Sequence, residues 1–170
     1  MRNNTTKRVR RVAYDGLFAA LAFGFTYVEI LLPIDFGVPG VKLGLANVVS
    51  LFVLYRVGWI DAAAVNLVRI LLAGALFNAA AIPYSLCGAA LSLLVMVLLK
   101  KSNVISPTGV SIAGAVAHNL GQVICSAILM RTTSIIWYFL VLVVSGVIGG
   151  CVVGLLAAWI MRRFEKHVKL

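Results

Sequence analysis

Acidic side chains are scarce: Asp15, Glu29, Asp35, Asp61 and Glu165 are the only five in 170 residues. No two are neighbours in sequence, so a carboxylate-rich magnesium site of the kind that holds diphosphates is not expected. Cysteine is rarer still. Cys87, Cys125 and Cys151 fall inside apolar runs without paired or metal-ligand spacing, and read as small buried hydrophobes. No Gly-Lys-Ser or Gly-Lys-Thr occurs, so the chain has no ATP-binding glycine-rich loop of its own. Prolines number four, and charged residues of both signs make up only 12%.

What is abundant is apolar surface. Hydrophobic residues form 62% of the chain, and mean hydropathy is +1.06. Soluble domains run at roughly 45–50% apolar with about a quarter charged. The composition therefore describes an integral membrane protein, all-α, in one domain. Fifteen basic residues give a net charge of +10. They stand at the ends of apolar spans, as topology determinants do, so nucleic acid is not an expected partner.

A hydrocarbon core of ~30 Å takes about 20 helical residues. That measure predicts six transmembrane helices, at about 13–32, 41–58, 60–78, 82–99, 109–130 and 134–161. Breaks fall at Pro33, Pro39-Gly40, Gly58-Trp59, Pro83 and Pro107-Thr108-Gly109. The second span has a strongly apolar core only from Leu43 to Tyr55. A basic segment, 1–12, precedes the six-helix domain, 13–161, and a basic tail, 162–170, follows it. With the N-terminus inside, twelve of the fifteen lysines and arginines lie inside, Lys42 and Arg131 lie outside, and Arg69 lies within the membrane. The expected protein is multi-pass in the cell membrane with both termini cytoplasmic. The apolar run after the basic start has no small-residue cleavage site behind it, so it is expected to be retained as the first helix.

Arg69 is the most expensive residue in the chain. An arginine in mid-bilayer costs from ~3 to over 10 kcal/mol depending on the reference state, and normally faces a bundle interior, a partner or a ligand. It lies ~12 Å above the inner end of the third span, with Asn66 three residues away on nearly the same face. His118 lies at ~13 Å in the fifth span, with Gln122 one turn further on. The matched depths predict a shared polar pocket. Asn119 is rotated by about 100° from His118, and points either to that pocket or to another helix. Asn47, Asn66 and Asn119 suit either ligand binding or interhelical hydrogen bonding. At the outer mouth, Glu29, Asp35, Phe36, Lys42 and two prolines form a braced loop, which lowers the ordering cost of covering a ligand. Phe36, Trp59 and Phe77 are candidate apolar walls, with Trp59 also suited to the inner interface. In the first span Gly16, Ala20 and Gly24 recur every four residues as a flat stripe for close packing, against an internal helix or a separate partner. Gly146, Gly149, Gly150 and Gly154 suit internal packing.

Four stretches are familiar: Pro39-Gly-Val-Lys-Leu-Gly-Leu-Ala-Asn47, Arg69-Ile-Leu-Leu-Ala-Gly74, Leu91-Ser-Leu-Leu-Val-Met96, and Gly114-Ala-Val-Ala-His118-Asn119-Leu-Gly121-Gln122. Over roughly residues 10–165 the chain resembles the Gx transporter family, small membrane proteins often labelled heptaprenyl diphosphate synthase component I. That family is similar to the substrate-binding (S) components of energy-coupling-factor transporters. The resemblance implies a six-helix bundle that binds a small molecule near the outer face beneath the loop between helices one and two. It also implies that the Gly16/Ala20/Gly24 surface contacts a transmembrane coupling protein associated with two ATPases.

The expected function is thus membrane transport of a small, anionic or carbonyl-rich solute, with no cofactor and no catalysis. Substrate-binding candidates are Arg69, His118, Asn119, Gln122, Asn47, Asn66, Lys42 and Glu29; partner-contact candidates are Gly16, Ala20 and Gly24. The alternatives are an accessory membrane subunit in prenyl diphosphate or quinone biosynthesis, and a structural scaffold.

Overall fold

The computed structural model describes residues 2–31, 44–131 and 136–163. They form α1 (Arg2–Leu31), α2 (Ala46–Arg56), α3 (Trp59–Leu76), α4 (Ile82–Ser102), α5 (Pro107–Met130) and α6 (Ile136–Arg163), with one 3-10 turn at Ala79–Ala81. There is no strand among the described residues. Helix ends follow local chemistry. Ser106 caps α5 by accepting from the Gly109 N–H, and Pro107 fills the first turn, where its missing N–H costs nothing. Asn103 and Arg131 end α4 and α5 in the left-handed conformation, at φ 55° and 50°.

Five of these helices are long and apolar enough to cross a membrane. Their outer faces carry exposed Leu17, Leu94, Leu98, Val144, Leu155 and Trp159, as a lipid-facing surface does. α2 is different. The helix expected over 41–58 begins only at Ala46, because Gly44 turns the chain at φ 75° and its carbonyl accepts the Asn47 N–H at 2.8 Å. Eleven residues rise ~16 Å, about half the hydrocarbon thickness. α2 is enclosed by α1, α3 and α6, and Leu51, Val53 and Leu54 are no more than 1% exposed. α1 begins at Arg2, so the basic stretch ahead of the first span is itself helical.

α4, α5 and α6 pack in sequence through glycines. A Cβ on Gly150 would stand 2.7 Å from Ile112 Cα, and one on Gly154 2.7 Å from Thr108 Cα, so α6 lies directly on the α5 backbone. One on Gly121 would meet the Cys87 carbonyl at 2.7 Å and Gly88 Cα at 2.9 Å, fixing the α4–α5 crossing. Of the cysteines, Cys125 is buried as expected and Cys151 half-buried, while Cys87 departs from expectation and is exposed.

Polar ties gather at one end of the bundle. Arg11 donates to both oxygens of Asp61 at 2.5 Å, beside Asp15. Lys100 Nζ donates to the Leu54 carbonyl at 2.7 Å, and Arg56 Nη2 to the Met161 carbonyl at 2.5 Å. Both cations sit where helix C-termini leave carbonyls unpaired. The other end of the bundle holds the cavity.

Candidate binding cavity

A cavity of about 420 Å³ lies where α2 is missing its outer turns, and all six helices contribute to its wall. This volume falls within the ~300–1,000 Å³ of small-molecule sites. Its floor is the start of α2, with Gly44, Ala46 and Asn47. Glu29 comes from the last turn of α1, Arg69 and Phe77 from α3, Tyr84 and Ser85 from the first turn of α4. His118, Asn119 and Gln122 come from α5, and Ser145 from α6.

Arg69 and His118 do share one site, as their depths imply, and each lies within the other's electrostatic reach. The Arg69 side chain is half-buried, but its Nε is fully enclosed and has no hydrogen-bond partner among the described residues. Its Nη2 donates to Asn66 Oδ1 at a long 3.4 Å, and the same oxygen accepts from Ser50 Oγ at 2.8 Å. Asn66 therefore does not line the cavity. It is buried behind Arg69 and steers the guanidinium, because three residues along a helix leave the two side chains on adjoining rather than identical faces.

Glu29 lines the same cavity and feels Arg69 electrostatically, without forming an ion pair with it. Its Oε1 accepts the Gly44 N–H, tying the end of α1 to the approach of α2. The His118 ring and Gln122 Cγ both pack against Gly88 of α4. Asn119 does both things its position allowed: it borders the cavity and donates to the Leu142 carbonyl of α6 at 2.6 Å.

Phe77 stacks on Phe23 at 5.9 Å and Tyr27 at 5.8 Å, closing the α1–α3 seam beside the cavity. Trp59 is 57% exposed and stands at the opposite end of α3. Lys42, Asp35 and Phe36 lie outside the described residues. Gly16 and Ala20 are exposed and Gly24 half-buried, and Cβ atoms on the two glycines would meet nothing within 4 Å. That stripe faces away from the bundle. Tyr84, Ser85, Thr26, Ser126 and Ser145 border the cavity without having been singled out. Ser85 and Ser126 sit in the half of α4 and α5 on which Asn47 and Glu29 converge, which was the signal available.

An all-helical bundle with five helices long and apolar enough to cross a membrane, a lipid-facing exterior and a cavity in one half defines a multi-pass membrane protein. The chain belongs to the heptaprenyl diphosphate synthase component I family, whose family model matches residues 18–160, from the first helix into the last. No curated protein and no solved structure matches the chain.

Proposed function

We propose that this protein is the substrate-binding subunit of an energy-coupling-factor type uptake transporter for a small solute carrying an anionic or carbonyl-rich group. The observation that carries this reading is the Arg69 guanidinium: costly to bury, at the wall of a cavity that holds several polar side chains, and with an Nε that has no hydrogen-bond partner among the described residues. A carboxylate or phosphate on a ligand supplies what the protein withholds. In this reading Arg69, His118, Asn119, Gln122, Asn47, Glu29 and Lys42 contact the solute, and Asn66 positions Arg69.

In this reading the bundle has six membrane helices, five long enough to cross and the short α2 reaching about halfway, with both termini cytoplasmic, since the basic ends of α1, α4 and α6 mark the inner side. The cavity then opens outward. Gly16, Ala20 and Gly24 meet a transmembrane coupling protein that associates with two ATPases, and the open space around those glycines supports this role. Nothing in the reading needs chemistry on the solute.

The family description favours a second reading, a membrane component that serves prenyl diphosphate synthesis beside another component. A diphosphate would also satisfy Arg69. Solute uptake and prenyl-quinone content measured together in a deletion strain, with Arg69→Ala as a comparison, separate the two. Lost uptake with normal quinone supports the transporter. Lost quinone with normal uptake sinks it.

A further inference from the structure

Among the described residues the cavity is lined by one carboxylate besides the Arg69 guanidinium. Glu29 sits in the last turn of α1, where the helix dipole presents its negative end and a carboxylate is disfavoured. It is nonetheless placed at the cavity wall, near enough to Arg69 to interact but not in contact with it. Among the described residues the lining is therefore dipolar: negative at Glu29 and the end of α1, positive at Arg69.

A plain anion drawn to Arg69 would face Glu29 across a poorly solvated space, where like charges repel strongly. A plain cation would face Arg69. A solute with an anionic group at one end and a protonated amine at the other meets both walls with opposite charge. Resting on the binding reading above, we infer that the substrate class is zwitterionic: its carboxylate or phosphate lies on Arg69, and its ammonium lies on Glu29. His118 and Gln122, held by the glycine contact with α4, border the space between the two poles. Neither is a fixed charge, so they set shape and hydrogen bonding rather than polarity.

The test uses the full chain in lipid nanodiscs, purified as wild type, Glu29→Gln, Glu29→Asp and Arg69→Gln. Retained small molecules are extracted and tagged separately at amines and at acids, then compared by mass spectrometry. The wild type is expected to retain a compound that takes both tags. Its amount should fall at least about tenfold in Glu29→Gln and Arg69→Gln, and recover partly in Glu29→Asp, at unchanged melting temperature. A retained compound bearing acid groups alone, kept by Glu29→Gln, overturns the zwitterion and leaves the binding reading standing. Retention of no compound by the wild type rejects the binding reading and this inference with it. Because the wild-type tagging result decides the substrate class by itself, a variant that fails to fold does not block the test.

Discussion

Asn66 stands directly behind Arg69: one oxygen, Oδ1, takes Nη2 of the arginine at 3.4 Å and Ser50 Oγ at 2.8 Å. The arrangement fixes where the guanidinium points while leaving its Nε unsatisfied. Asn66→Ala should cost about 1 kcal/mol of stability through the lost Ser50 bond. It should also reduce ligand retention several-fold by freeing Arg69 to swing. Chemical unfolding in detergent beside a retention assay checks both, and full retention in a destabilised variant would remove the steering role.

Glycines on two helices make opposite predictions. Gly150→Ala forces a methyl to within 2.7 Å of Ile112 Cα and 3.1 Å of the Ser111 carbonyl, neither of which can yield cheaply. A loss of about 1–3 kcal/mol is expected. Gly16→Leu enters open space and should leave stability within about 0.5 kcal/mol. Co-purification of Gly16→Leu with a coupling protein should nevertheless fall, because the bulky side chain stands on the proposed contact. Unchanged assembly would remove α1 from the interface.

Arg11 and Asp61 predict a non-additive pair. Asp61 is 2% exposed, and both of its oxygens accept from Arg11. Arg11→Ala leaves that carboxylate enclosed beside Asp15, so the melting temperature should drop. Adding Asp61→Asn removes the stranded charge and should restore part of the loss. A double variant worse than the sum of the singles would contradict this account.

Phe77 joins α1 to α3 by stacking on Phe23 and Tyr27. Phe77→Ala should cost about 1–3 kcal/mol from the two ring contacts, and should speed ligand release by opening the wall between those helices. Dissociation rates from nanodisc-held protein provide the measurement. Phe77→Tyr, which keeps the ring, should restore the slow rate.

Much of this fold was legible because membrane spans write themselves as long apolar runs. The starts of α3, α4 and α5 fall at the Gly58-Trp59, Pro83 and Pro107 breaks, and depth counting brought Arg69 and His118 to one cavity. α2 was not legible as a short helix. Its apolar run continues past the turn that Gly44 imposes, and composition does not register a single positive φ. The Arg11–Asp61 pair escaped for another reason: it joins residues fifty apart, and the α1 helix had to reach back to Arg2 before Arg11 and Asp15 shared a face. Of the binding-type residues, the strongly polar ones stood out against the lipid background. Ser85 and Ser126 did not, since a lone hydroxyl in a helix is cheap enough to occur anywhere.

The short α2 gives the protein a pillar that stops below the roof. Among the described residues, the room at its start is bounded by all the other helices. The frame is glycine-tight from α4 through α6, so added side-chain bulk there disturbs helix crossings, whereas Tyr84, Ser85 and Ser126 border open space.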